Sequence, residues 1–432
     1  MRYGVAWLVP LGVALAGQAV AGEPSREEIR FSEALVQAGR TPQVQSTEAA
    51  LVAKQAMDRQ ISTLTSNPQL NLQLGYRREL DFGGVEAQLL AQQGISLGAY
   101  SQARKRAAVA EEAELKTELQ TVKLAAELRA GRAWLKLWGT VQVLHAAEHE
   151  VELAQKLTER TVRAVRAGAM TVADQSEAES YQAEAELQLL TLEGDAFEQG
   201  IELAKSLGRQ GAVPLRPAGG LPQITLPELS DALRSELLAG AAQLPLVRAQ
   251  QAGVSSELAR SEELRSQRRG TLTLGAQFVR EPAVPYSLMG TLGLQLPFFD
   301  RGERERADAL AMIERRRGAV AEAAVEAQAA MSLAFHEVGH TEEIERKLRE
   351  SALPATEQTL RLRERLLTAG EATVMEVLLS RRAVFALRGR LGRAQADHVH
   401  SRFVISRLLL QLTPQAPTTS RSTEKTSPGS VR

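Results

Sequence analysis

The sequence predicts a mainly α-helical protein with a small transmembrane β part, two internal repeats and four strands per chain. Three observations carry this expectation. Aromatics make up only 4% of the 432 residues, while Ala, Leu, Glu, Gln and Arg abound, a composition of long helices with narrow seams. The chain nearly repeats itself after about 200 residues, the signature of a doubled architecture. Four stretches of clean polar/apolar alternation stand beside unusually long runs without helix breakers.

In chain order, Met1–Arg2, an apolar run from about Val5 to Ala16 and the small triplet Ala19-Val20-Ala21 have the layout of a cleavable signal peptide over residues 1–21. The apolar run is shorter than the ~20 residues of a spanning helix, and no later segment is a continuous apolar helix of that length. Any membrane embedding must therefore use strands. With 52 basic and 52 acidic residues, nothing favours nucleic acid as a partner, and the absence of cysteine excludes disulfides, thiolate metal sites and a lipidated N-terminal Cys.

The first repeat is placed at 22–210, with strands at about 67–76 and 85–97. In the first, Leu70, Leu72, Leu74 and Tyr76 share a face opposite Gln69, Asn71 and Gln73; in the second, Val85, Ala87, Leu89, Ala91, Ile95 and Leu97 oppose Glu86, Gln88, Gln92 and Ser96. A second repeat at 229–413 has strands at about 271–279 and 288–297, with Leu272, Leu274, Ala276 and Phe278, then Leu288, Leu292, Leu294 and Leu296, on one face. An ordinary half-buried sheet has the same period, so the helices must decide. No proline occurs from Gln69 to Val213, and Ala99–Arg166 would make a rod of ~100 Å. A matching run, Gly302 to about Thr368, is interrupted by Pro354, where a kink is expected. Shorter helices are expected over roughly 25–64, 172–207, 229–266 and 374–412. Residues 211–228 read as a linker with little regular structure, and 414–432 as a disordered tail. Trp134 and Trp138, one turn apart, are read as packing residues.

Four strands cannot close a membrane barrel, which needs at least about eight. Open edges would leave backbone groups unpaired in lipid, so several copies must share one barrel.

The segments QGISLGAYSQARKRAA and LGLQLPFFDRGERERADA, with the turns VRAGAMTVADQ and LTAGEATVMEV, recur in the same order in both halves. This doubled plan resembles the TolC-like outer-membrane efflux factors over about Glu28–Leu412, and the LPFFDRG wording is most similar to the CzcC-like heavy-metal branch. The resemblance implies a homotrimer with a 12-stranded β-barrel in the outer membrane and a long α-helical barrel in the periplasm. A periplasmic adaptor protein and an inner-membrane transporter, often of the resistance-nodulation-division (RND) type, would be its partners. It implies a passive exit duct, with heavy-metal cations as one cargo class, and neither cofactor nor catalysis.

By the same resemblance the turns at 166–171 and 368–373 are tips that dock the adaptor, carried by Ala167, Gly168, Ala169, Thr171, Ala369, Gly370, Glu371 and Thr373. The residue types agree: Gly supplies a left-handed helix end and Thr an N-cap. Asp174, Glu177, Glu371 and Glu376 lie within two turns of the tips and, repeated by symmetry, would ring the entrance with negative charge, although acids at helix starts also simply complement the dipole. Arg104, Lys105, Arg106, Arg301, Arg304 and Arg306 follow the strands, at the level of outer-membrane lipid head groups or in solvent.

A competing motif is His336-Glu337-Val338-Gly339-His340, the HExxH pattern of zinc peptidases. A catalytic zinc needs a third ligand and a concave pocket, with Glu343 or Glu345 the nearest oxygens. The repeat counterpart, Trp134 to Trp138, has no such groups. A secreted zinc peptidase and a soluble periplasmic coiled-coil scaffold are the readings set against a channel, with His336 and His340 the candidate metal ligands.

Overall fold

A computed structural model describes residues 27–60, 67–78, 83–211, 213–281, 286–295 and 302–412. The signal peptide at 1–21, the tail at 414–432, Leu296, most of LPFFDRG and Arg301 lie outside the described residues. The first half of the chain runs β1 (Glu28–Arg30), α1 (Phe31–Ala38), α2 (Pro42–Asp58), β2 (Gln69–Arg78), β3 (Gly83–Ser96), α3 (Tyr100–Arg166) and α4 (Val172–Ser206). After β4 (Arg216–Ala218), the second runs α5 (Asp231–Gly240), α6 (Pro245–Gln267), β5 (Thr271–Arg280), β6 (Ser287–Gln295), α7 (Glu303–Lys347), α8 (Leu353–Ala369) and α9 (Val374–Leu412).

The rods and strands form where alternation and proline placement put them, with shifted ends. β2 extends to Arg78 because the ladder with β3 continues to Arg78 opposite Gly83, past the apolar stripe that marks the strand in sequence. Two expected short helices are broken. Residues 25–64 divide at Gly39 to Thr41 because Pro42 opens α2 without an N–H to donate, and a short strand precedes α1. Residues 229–266 divide at Leu244, which is extended (φ −62°, ψ 148°) before Pro245, as the residue preceding proline prefers. The expected kink at Pro354 is a π turn over Leu348–Ala352, one wide turn that accommodates a ring with no donor between α7 and α8.

The linker also holds more structure than its Gly and Pro content suggests. β4 pairs in parallel with β1, Ile29 opposite Pro217, and Arg209 donates to Glu27 and Gln37 across the same junction. Gly200 lets this segment approach α4, since a Cβ there would lie 2.7 Å from the Leu215 carbonyl.

α3 is the spine, packing on α4, α6 and α9, with α1 and α2 alongside; α7 packs on α6 and α9. One buried cluster sits halfway along α3, where Trp134 is fully buried against Ala34, Ala38 and Leu203 and donates its indole N–H to the Ile29 carbonyl at 2.8 Å. Trp138 packs against the same cluster, so both tryptophans are packing residues. Truncating a core Trp to Ala costs about 3–5 kcal/mol. A second cluster joins α5, α6, α7 and α9 around Met331, Phe335, Val247 and Ile405, at the corresponding level of the other repeat. No described helix is long and apolar enough to cross a membrane.

Candidate functional site

The two ends of the rods differ sharply in chemistry. At one end β2, β3, β5 and β6 form a single antiparallel sheet in the order β2-β3-β5-β6. Residues opposite one another in an antiparallel ladder point to the same side. Leu72 faces Leu89 and Leu89 faces Phe278, while Phe278 faces Leu288; Leu274 likewise faces Leu292. The apolar stripes of all four strands therefore merge into one face, interrupted by Gln93 opposite Leu274. Gln73, Gln88, Gln92, Thr273 and Thr291 share the other side. The apolar face is uncovered: Leu70, Leu74 and Tyr76 are about 70% exposed, Leu288 73% and Leu292 75%. Among the described residues β2 and β6 each pair on one side only.

The opposite end holds both tips. α3 leaves the sheet, rises ~100 Å and turns at Ala167–Thr171; α7 and α8 follow the same course to Ala369–Thr373. The tips lie together, with Met170 and Leu367 packed on a shared cluster of Ala154, Tyr181, Val374 and Leu378. Gly168 and Gly370 adopt φ of +73° and +78°, the left-handed conformation that ends each helix, with open space around both. Each following helix starts with a capping box. Thr171 Oγ1 accepts from the Asp174 N–H at 3.2 Å while Asp174 accepts from the Thr171 N–H at 2.9 Å. Thr373 and Glu376 repeat this at 3.3 and 2.8 Å. Hydrogen bonds from the Thr373 backbone and hydroxyl hold the Glu376 carboxyl below the usual carboxylate range. Of the four predicted acids, Asp174 and Glu376 are thus engaged in caps, while Glu371 is exposed on the turn and Glu177 half-buried one turn into α4. Ala167, Ala169 and Ala369 are exposed.

Just behind the tips lies a polar network that sequence reasoning missed. Tyr181 donates its hydroxyl to Glu150 at 2.5 Å, both buried, and burial with the adjacent carboxylate pushes the phenol pKa far up. Arg382 lies over the Tyr181 ring, 5.5 Å from its centroid, and pairs with Glu184; Arg381 pairs with Glu364. Glu150, Tyr181, Glu184 and Arg382 link α3, α4 and α9 around a crevice of about 210 Å³, and Arg381 ties α9 to α8 beside it. The available signal was Tyr181, a single aromatic among Ala, Glu and Gln about three turns past its tip, with two arginines at the corresponding level of α9.

The HEVGH motif lies along an exposed side of α7. The His336 and His340 rings are 5.4 Å apart and 14° from parallel. Glu343 and Glu345, expected to offer oxygen, are committed elsewhere: Glu343 pairs with Lys347 at 3.0 Å, and Glu345 is buried against Arg349. No group of three potential metal ligands occurs among the described residues. Of the basic residues beside the strands, Arg106 reaches Glu262 at 3.4 Å.

No protein-family model matches the chain, and no curated protein sequence matches it. Its fold, however, is that of solved outer-membrane channels. The outer-membrane channel OprN superposes with a TM-score of 0.71 at 17% identity, covering 94% of this chain and 98% of that one. The outer membrane protein VceC of Vibrio cholerae gives 0.65 at 16% identity, covering 88% and 95%. The open state of the MtrE outer membrane channel of Neisseria gonorrhoeae gives 0.64 at 16% identity, covering 88% of each chain.

Proposed function

We propose that the chain is one subunit of a TolC-like outer-membrane channel, a passive exit duct of a tripartite efflux pump. The observation that carries this reading is the uncovered four-stranded sheet, apolar on one face and open at β2 and β6, seated on rods of ~100 Å. In water such a face and such edges are a liability; in a closed barrel both are satisfied. Three copies supply twelve strands, and strands of about ten residues tilted ~40° match an apolar band ~25 Å tall. In this reading the chain is exported by its leader without lipidation, the helices line a periplasmic tube, and the tips dock the adaptor. An inner-membrane transporter, RND type by resemblance, supplies the energy. Glu177 and Glu371, with the cap-bound Asp174 and Glu376, ring the entrance and favour cations. Cargo is set by the pump, with heavy-metal cations one class to assay.

The test is to purify the protein from membranes in detergent, follow its heat-dependent migration as an oligomer and record conductance in planar bilayers. Gly168→Pro and Gly370→Pro should abolish efflux in a resistance assay while leaving oligomer levels intact. A monomeric, freely water-soluble protein without conductance would reject the channel; full resistance in both proline variants would reject tip docking.

A further inference from the structure

We propose that His145 with His149, and His336 with His340, form two surface sites for a divalent first-row transition-metal ion, each supplying two imidazole ligands. Four of the six histidines of the chain fall into two copies of one pattern, H-x3-H-x2-E-x3-K. On α3 it is His145, His149, Glu152 and Lys156; on α7 it is His336, His340, Glu343 and Lys347. Duplication does not explain the recurrence, because the internal repeat sets Trp134–Trp138, not His145–His149, opposite His336–His340.

A spacing of four places each histidine pair one turn apart on the same helical face. All four imidazoles are exposed, and the α7 pair already stands 5.4 Å between ring centroids, within reach of one ion at metal–nitrogen distances of about 2.0–2.1 Å. The remaining two positions of the pattern have a physical role. Glu152 Oε2 lies 3.6 Å from His149 Nδ1, the position of a carboxylate that orients an imidazole and leaves Nε2 for the metal. Lys156 in turn pairs with Glu152, and Lys347 with Glu343 at 3.0 Å, holding each carboxylate on the histidine side of its helix. The sites are therefore two-ligand chelates completed by water. Imidazole pairs select Cu²⁺, Ni²⁺ and Zn²⁺ over Mg²⁺ and Ca²⁺, with Cu²⁺ the strongest. The inference does not rest on the channel reading, since metal capture on a helix face needs neither membrane nor pump.

The test is Cu²⁺ titration of the chelator-stripped full chain in detergent, by calorimetry and by electron paramagnetic resonance, with Mg²⁺ as the comparison ion. Wild type should take two equivalents per chain with nitrogen hyperfine structure. His336→Ala/His340→Ala and His145→Ala/His149→Ala should each retain one equivalent, and the quadruple variant none. Glu152→Gln should weaken its own site about tenfold or more and leave the α7 site unchanged. The positions are exposed and alanine favours helix, so circular dichroism should be unchanged, and each double variant keeps the other site as an internal control. Unchanged copper uptake in the quadruple variant, equal competition by Mg²⁺, or loss of both equivalents from either double variant would overturn the proposal.

Discussion

Tyr181→Phe removes a single hydroxyl from the cluster behind the tips. Phenylalanine fills the same space, so packing between α3 and α4 is kept, but Glu150 loses the donor now at 2.5 Å. Tyr181 is only 4% and Glu150 only 8% exposed, so water can reach the orphaned carboxylate only through the adjoining crevice. An unsatisfied buried polar group costs about 1–3 kcal/mol, and more for a charged one. Each 1.4 kcal/mol is a factor of ten, so local opening of the tip end of α4 should become about 5- to 150-fold more frequent. Native-state hydrogen exchange on peptides spanning residues 178–185 reads this directly, with peptides around Trp134 as the unaffected reference. Glu150→Gln in the Tyr181→Phe background removes the buried charge that has lost its donor, and should restore part of the lost protection. Exchange at 178–185 within twofold of wild type in Tyr181→Phe would refute the claim that this bond pins the tip helices.

Gly131→Ala places a Cβ about 2.4 Å from the Phe403 ring, so the ring or the two helices must shift; overpacking of this kind costs about 1–3 kcal/mol and, in a chain of this length, should lower the thermal midpoint by about 1–4 °C. Thr171→Ala and Thr373→Ala each remove a capping box worth about 0.5–2 kcal/mol, and should speed exchange in the first turn of α4 and α9 respectively. His400 is held neutral by burial and by Arg132, its pKa lowered to about 4. A depressed folded value means the neutral form belongs to the fold, so stability is full above about pH 6.5 and is lost as the pH falls toward 4. Burial also depresses His398, beside Arg402, Glu342 and Arg349, and adds to the same loss. Thermal midpoints measured across that window should fall, and His400→Gln should flatten the curve; a flat wild-type curve would contradict the assignment.

The strands and rods were legible because their signals are local and long. The alternation from Gln69 to Tyr76 in β2, and 67 residues without a proline in α3, leave little freedom of interpretation. The tips were legible too, since Gly168 and Gly370 occupy the one backbone conformation that favours glycine and Thr171 and Thr373 follow at cap spacing. The breaks at Pro42 and Pro245 were written in the sequence as prolines at first helical positions, and were overridden by the helical composition on either side. By contrast, β1 and β4 are three residues each, too short to show a period, and exist only because each finds the other. The Tyr181 network depends on which helices become neighbours, and no spacing along one helix encodes that Glu150, Tyr181 and Arg382 will meet.

The short β1–β4 pairing sets the order in which the molecule can mature. Glu27 and Arg209, which close the same junction, are 182 residues apart, and the Ile29 carbonyl that receives the Trp134 indole belongs to that clasp. Tethering such distant segments carries a loop-closure penalty that local helix formation does not, and the β3–β5 ladder and the α3–α9 contact bear a penalty of the same kind. The first rod can coil while its midpoint remains unlatched, and the buckle shuts only after the stretch joining the two halves has appeared. Lesions in that joining stretch should therefore be felt first as slow maturation of the opening half, far from where they lie.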